Sequence, residues 1–365
     1  MNQASTAGSP TVGVAIPTYN RDDLLETCLE HVAYQTLRPA RIIIIDNGTR
    51  NIMPEFLRKF EPLEWIPLHS NRGTSVAFNL GIGAAKRCEY VFLLNNDVDM
   101  EPECLSRLVQ ALEQDSSYSA AVPKLLRWSD PRYLDGVGDE ILLGGGAYRV
   151  GNGELDAGQY DQSGPVFSAC AAAALYRTSL FEDIGGFDEE FFAYREDVDL
   201  GLRAQLRGHR CLYVPAARAH HRGGATMGTF HPKTIALSTR NQILMIGKDY
   251  PLSLIWRLAP RLIAFQLFWL GFAIQKRAFA GYCRGLLDVI SLVPNMLGKR
   301  REIQPKRLVA TESLLSIMRA SEERIRGWYE SPHTVRSPQL LRVYFGLFKT
   351  AKSSNESAAL KRRNE

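Results

Sequence analysis

The segment Leu93-Leu-Asn-Asn-Asp97-Val98-Asp99 sets two carboxylates two residues apart, immediately after an apolar run. Hard divalent cations take oxygen ligands, and Mg²⁺ is commonly held by one or two carboxylates together with substrate phosphates. Asp97 and Asp99 therefore suit a cation that clamps a diphosphate, although an isolated Asp-x-Asp is more often a turn or helix-start feature. A second acidic group, Arg195-Glu196-Asp197-Val198-Asp199, follows Phe191-Phe-Ala-Tyr194. Glu196 and Asp197 can favour the first turn of a helix. Beside aromatic residues and a second acid, a carboxylate can also have its pKa raised toward that of a general base. His220-His221 precedes Gly223-Gly224, which suggests a loop over the site. A neutral imidazole is a good extra ligand or orienting group for a metal-bound diphosphate.

These residues need elements to position them. Apolar runs alternate with amphipathic segments through the first 120 residues, the pattern of βαβ units and a largely parallel α/β sheet. Val12–Ile16, Arg41–Asp46, Glu64–Leu68 and Tyr90–Leu94 read as strands; residues 22–35, Ser75–Ala85 and Pro102–Glu113 read as helices. Three strand ends are polar: Pro17–Arg21, Asp46-Asn47 and Asn95–Asp99. Ligands of open α/β sheets gather at such carboxyl ends. Asp46 there can accept hydrogen bonds from a base or ribose, and Asn71 and Gly73 stand before a helix whose backbone N–H groups can approach a polar ligand. Farther on, Val166–Tyr176 and Cys211–Val214 read as strands, and Asp188–Arg207 and Ile235–Ile246 contain helices. Between Gly144 and Gly164 lie seven glycines, which predicts a mobile loop closing over an acceptor.

No GxGxxG or GxxxxGK[ST] follows an expected strand, which argues against a dinucleotide-dependent oxidoreductase and a P-loop ATPase. The 365 residues, 45% apolar and 23% charged, are an ordinary globular composition with room for one large α/β domain and an appendage. The net charge of +5 is unevenly spread: residues 1–250 hold 24 Lys and Arg against 31 Asp and Glu, and residues 251–365 hold 20 against 8. A basic tail on an acidic body suggests an anionic surface as partner. Six scattered cysteines with no CxxC pair read as reduced, buried thiols. The polar start MNQASTAGSP lacks the regions of a signal peptide, so a cytoplasmic protein is expected.

Taken together, the motifs resemble inverting, GT-A-type family 2 glycosyltransferases, especially the rhamnosyltransferase-like branch that builds bacterial cell-surface polysaccharides. Six segments carry the resemblance over residues 11–250. They are Val14-Ala-Ile-Pro-Thr-Tyr-Asn-Arg21, Ile45-Asp46-Asn47-Gly48, Asn71-Arg-Gly73 with Asn79, Asn95-Asn-Asp97-Val-Asp99, Phe191–Asp199, and Tyr213-Val-Pro with His221. Arg195 departs from the pattern, since an aromatic residue is common there, and this bears on acceptor preference.

The resemblance implies a GT-A fold, a Rossmann-like mixed sheet flanked by helices, over residues 11–250. A disordered lead-in (1–10) precedes it; a basic helical extension (251–352) and a disordered tail (353–365) follow. It implies a UDP- or dTDP-linked sugar donor held by Pro17, Thr18, Tyr19, Asn20, Arg21, Asp46, Asn71, Gly73, Asn79, Asn96 and Asp97. It also implies a divalent cation, Mg²⁺ or Mn²⁺, on Asp97, Asp99 and His221, and a carboxylate base, Asp197, with Glu196 beside it. The activity implied is metal-dependent hexosyl transfer, of rhamnose for instance, to a lipid-linked or polysaccharide acceptor. The other reading kept open is a non-catalytic nucleotide-sugar- or glycan-binding scaffold. Nucleic acid is not an expected partner, because the basic tail lacks a recognition motif. Leu252–Ile274 is interrupted by Arg257, Pro260 and Arg261, and its uninterrupted apolar part is short for a span. That predicts helices lying in an anionic membrane interface or packing on the body, with the protein peripheral on the inner face of the cell membrane.

Overall fold

A short β-branched run such as Ile42–Ile45 forms a strand because it is too short for a helix core and both its faces can be buried in an α/β body. In the computed structural model, residues 10–60, 62–223, 231–334 and 339–348 are described. The expected lead-in up to residue 9, Gly224 and the tail from 353 lie outside them. Strands β1 (Val12–Thr18), β2 (Arg41–Asp46), β3 (Glu64–Pro67) and β4 (Tyr90–Leu94) alternate with helices α1 (Asp22–Ala33) and α2 (Thr74–Ala85), as the sequence predicts. There follow β5 (Val98–Met100), α3 (Cys104–Gln114), β6 (Tyr118–Arg127), β7 (Leu134–Gly136), β8 (Asp139–Ile141), β9 (Ala147–Arg149), β10 (Gly164–Val166) and β11 (Ala173–Arg177). The remainder is α4 (Thr178–Ile184), α5 (Glu196–Arg207), β12 (Arg210–His221), α6 (Pro232–Asp249), α7 (Leu252–Gln275), α8 (Phe279–Ile303), α9 (Thr311–Glu330) and α10 (Gln339–Leu347).

The main sheet runs β10-β12-β6-β11-β4-β1-β2-β3, with β5 added on β12 and β7 on β6. β4, β1, β2 and β3 are parallel, whereas β11 enters antiparallel between β4 and β6, so the sheet is mixed. The strand period of two sends successive isoleucines to opposite faces. Ile43 and Ile45 join Ala77, Phe78 and Ile82 of α2 in one core; Ile44 joins Leu25 and Leu29 of α1 and Leu105 of α3 in the other. All six cysteines are unpaired thiols, five of them buried.

Four local expectations change. The run Val166–Tyr176 is two strands, β10 and β11, that pair with different neighbours. β12 continues well past Val214, and a register shift between Val214 and Arg218 absorbs Pro215, which cannot donate to a ladder. The glycine-rich stretch is in its first part no lid. Gly144–Gly146 form the buried turn between β8 and β9, and a Cβ on Gly146 would meet the Phe265 ring at 2.3 Å. Last, α7 runs unbroken through Pro260 for 24 residues and is long and apolar enough to cross a membrane by length and composition. One face of it is nonetheless buried on the body through Leu254, Leu258 and Phe265.

A buried ion cluster ties α5, α6 and α8 together. Lys248 of α6 lies 2.6 Å from Asp188 and 2.7 Å from Asp199 of α5; Asp188 also pairs with Lys299 of α8, and Asp199 with Arg203. Removing one partner from a buried pair leaves charge without compensation. Lys248→Met is expected to cost about 3–5 kcal/mol in urea unfolding; a change of ~0.5 kcal/mol, usual at neutral surface sites, would contradict this.

Candidate active site

The carboxyl ends of β1, β2, β4 and β6 open into a cleft of about 900 Å³, closed on the far side by β8, β9, the start of α5, the end of β12 and α6. Pro17, Thr18, Tyr19, Asn71, Gly73, Asn96, Asp97, Glu196, Asp197 and His221 line it together, although they come from five separated stretches of sequence. Asn96 donates to the Thr18 hydroxyl at 3.0 Å, which joins the ends of β1 and β4. Asn47 fixes the Asn71–Gly73 turn from both sides: it accepts from the Arg72 N–H at 2.7 Å and donates to the Gly73 carbonyl at 3.1 Å.

The acidic wall is held by an unusual turn. Phe192, Tyr194 and Arg195 have φ of 63°, 69° and 66°, the left-handed region that L side chains enter at a cost. The turn is fixed from below, where the Asn241 side-chain amide donates to the carbonyls of Phe191, Ala193 and Tyr194, and Arg240 donates to those of Glu190 and Phe191. From above, the Phe192 carbonyl accepts the N–H groups of Thr74 and Ser75. The N-terminus of α2 is thus capped by protein, not left free for a ligand as the sequence suggested. Gly73 is needed because a Cβ there would stand 2.5 Å from that carbonyl. Tyr194 and Arg195 line the cleft, and Arg195 keeps its buried Nε and Nη1 without hydrogen-bond partners.

Along one wall, charges alternate. His221 Nε2 is 3.4 Å from Asp97 Oδ1, and its Nδ1 is 2.7 Å from Asp135 Oδ2. Arg149 pairs with Asp135 at 2.7 Å and approaches Asp139 at 3.6 Å. Carboxylate oxygens of Asp139 and Asp197 and the Cys170 sulfur lie within 4.8 Å of one another. Burial opposes charge on His221, but Asp135 and Asp97 outweigh it and raise the imidazole to about 9. Burial and the neighbouring Asp197 push Asp139 well above the usual carboxylate range, so it is the protonated member of that pair. Burial first, then the charge of Asp197, raises Glu196 to about 8. Asp135 goes the other way: against burial, Arg149 and His221 hold it below the usual range.

Five expected site residues are not on the cleft wall. Asp99 is buried with its Oδ2 accepting from the Trp128 indole at 2.7 Å and from Arg222 at 3.1 Å, because its strand β5 is paired into the sheet beside β12. That oxygen neutralises Arg222, while Oδ1 is buried without a hydrogen-bond partner among the described residues, away from the cleft lining. Asn79 spends its amide on the Phe187 backbone, accepting at 2.7 Å and donating at 3.0 Å, and fixes the approach to the left-handed turn in place of a nucleotide. Arg21 pairs with the exposed Asp23, and Asn20 packs its side-chain oxygen against the Gly48 turn. Asp46 stands one residue behind the wall. One of its oxygens accepts from Gly48 N–H at 3.0 Å and the other, near Arg50, is buried without a hydrogen-bond partner.

Asp135, Asp139 and Arg149 were missing from the sequence reading. They lie in three-residue strands that show no periodicity, and only the spacing of acids in Asp135-Gly-Val-Gly-Asp139 signals them.

Residues 13–185 match Glycosyl transferase family 2. N-acetylglucosaminyl-diphospho-decaprenol L-rhamnosyltransferase of Mycobacterium tuberculosis is 28% identical over 239 residues, covering 60% of this chain and 77% of that one. Rhamnosyltransferase WbbL of Escherichia coli K12 is 25% identical over 225 residues, covering 58% and 83%. Among solved structures, GalNAc-T7 with UDP, GalNAc and Mn²⁺ superposes with a TM-score of 0.56 at 13% identity, covering 78% of this chain and 57% of that one; this likeness is of fold, the GT-A type. Residues 13–185 thus carry a family 2 glycosyltransferase domain, and the relatives that the chain resembles over about 60% of its length include rhamnosyltransferases.

Proposed function

We propose that the chain transfers a sugar, rhamnose in the first instance, from a UDP- or dTDP-linked donor to a hydroxyl of a lipid-linked glycan, with inversion at the anomeric carbon. The observation that carries this reading is the single wall on which Asp97 and His221 are joined to Asp139 and Asp197 through Asp135 and Arg149. The similarity to a diphospho-decaprenol rhamnosyltransferase supports the choice of acceptor. Such an acceptor is presented at a membrane, so the protein works in the cytoplasm, peripheral on the inner face.

A divalent cation, Mg²⁺ or Mn²⁺, would fit Asp97 with His221 by displacing the proton that Asp97 and Asp135 favour on the imidazole. Neighbouring ligands of a six-coordinate cation at ~2.1 Å stand about 3 Å apart, and Asp97 Oδ1 and His221 Nε2 are 3.4 Å apart. Asp135 on Nδ1 orients the imidazole as a carboxylate behind a metal-binding histidine does. When bound, the ion would neutralise the departing diphosphate.

The remaining work falls to the chain's own groups. The unpartnered Asp46 oxygen is suited to accept the N3–H shared by uracil and thymine. Asp197 accepts the proton of the acceptor hydroxyl as its oxygen bonds to the anomeric carbon and the bond to the diphosphate breaks. Asp139, protonated, donates to Asp197 and fixes its orientation. Glu196, neutral below about 8, adds no second charge beside the base. A positioned base contributes about 10²–10⁴-fold, and leaving-group stabilisation with positioning supplies the rest.

Selective binding of a donor raises thermal stability. A shift with UDP- or dTDP-sugar that requires Mg²⁺ or Mn²⁺, followed by transfer to a lipid-diphosphate acceptor, is the expected result. Donor binding with no transfer to any acceptor would favour a binding scaffold instead. Asp197→Asn is expected to lower kcat by about 10²-fold or more with donor affinity kept; wild-type turnover would remove Asp197 from the role. Asp97→Ala is expected to abolish the metal-dependent part of the donor shift, and an undiminished Mn²⁺ requirement in that variant would refute the assignment. Because the Glu196 pKa is raised on folding, its contribution is complete below about 4.5 and is lost as pH rises through about 8. Glu196→Gln should therefore melt progressively higher than wild type as the pH is raised from 5 to 8, measured by scanning calorimetry; a pH-independent difference would show that Glu196 ionises freely.

A further inference from the structure

On α7 the strongly exposed apolar residues are Leu252, Trp256, Ile263, Leu267 and Ile274, spaced by four and seven. At about 100° per residue they fall within an arc of about 60° on a row about 33 Å long. α8 repeats the arrangement with Phe279, Leu286, Leu287, Ile290 and Leu297. Leu254, Leu258 and Phe265 of α7, and Gly281, Tyr282 and Gly285 of α8, occupy the opposite sides and are buried. Both helices therefore lay one face on the body and present a second apolar face outward. Trp256 is 79% exposed and Ile290 68%, values unusual for large side chains in a monomer's helix hairpin.

Charge names the occupant. α7 contains no Asp or Glu, the connection to α8 is Lys276-Arg277, and Arg284 and Arg301 lie exposed along α8. The turn of the hairpin is also the end nearest the cleft. Ala273, Ala278 and Tyr282 pack with Ile235 of α6, and Gly281 and Gly285 abut the backbone of Pro232 and Ala236. Thr234 and Ser238 of that same stretch of α6 line the cleft.

We infer that the outer face of the α7–α8 hairpin is a membrane-docking surface that lies in the plane of an anionic bilayer, with the Lys276-Arg277 turn at the headgroups next to the cleft mouth. α7 is long enough to span, but it cannot do so while Leu254, Leu258 and Phe265 remain in the body's core. The exposed face stands on its own geometry; its use to meet a lipid-linked acceptor rests on the function proposed above.

The test is flotation of the full chain with phosphatidylcholine vesicles, with and without phosphatidylglycerol. Binding is expected to require phosphatidylglycerol, to weaken with salt, and to be reversed by alkaline extraction. Leu267→Asp with Ile290→Asp should reduce the bound fraction about tenfold or more, while transfer to a water-soluble acceptor analogue stays at the wild-type rate. Brominated lipids should quench tryptophan emission in the wild type and much less in Trp256→Phe, a readout that does not depend on the charged variant folding. Wild-type protein that ignores anionic vesicles, or a double variant that binds as well, would overturn the assignment. So would alkali-resistant insertion, or a dimer abolished by the same substitutions, which would give the face to a second copy. Vesicle binding without transfer by the wild type would instead count only against the catalytic reading.

Discussion

The carbonyl of Phe192 is the point on which the site depends. By accepting the first N–H groups of α2 it locks the side of the cleft that carries Asn71 and Gly73 to the turn that carries Glu196 and Asp197. Residues in left-handed conformation cost free energy unless their surroundings over-determine them. Here Asn241 and Arg240 supply that determination from α6. The strained turn thereby gains a fixed position relative to α2 and α6, and the carboxylates of Glu196 and Asp197 are held at the cleft wall.

The second organising feature is the pairing of like and unlike charges along one wall. Asp97 and Asp99 look equivalent in sequence, but only Asp97 meets the cleft, because pairing of β5 with β12 puts Asp99 beside Trp128 and Arg222. Farther along, Arg149 stands between Asp135 and Asp139: with His221 it holds Asp135 low, whereas burial and the neighbouring Asp197 raise Asp139 in spite of the same guanidinium. Burial and the Asp197 charge, not the shared guanidinium, set apart two acids four residues from each other.

The sequence was most legible where one element buries one period. The Ile42–Ile45 strand, the α1 and α2 helices and the Tyr90–Leu94 strand follow from apolar spacing, and the polar strand ends follow from where ligands collect on such sheets. It was least legible where tertiary pairing decides. β6 runs through Pro123, β12 runs past Pro215 across a register shift, and β7, β8 and β9 are too short for alternation to register. Those strands carry Asp135, Asp139 and Arg149, which is why half of the acidic wall escaped notice. Asn79 illustrates the converse: a residue in the right motif whose amide is consumed by the Phe187 backbone 108 positions away.

Asp188 has one further consequence. It begins the short turn that leads into Phe191–Arg195, and its carboxylate is shared between Lys248 of α6 and Lys299 of α8. A lateral load on the hairpin therefore has a stiff route to the cleft wall: α8 cannot slide along its axis without stretching the Lys299 contact or dragging the turn with it. The ion cluster thus acts as a joint between α6, α8 and the turn that leads to Glu196 and Asp197.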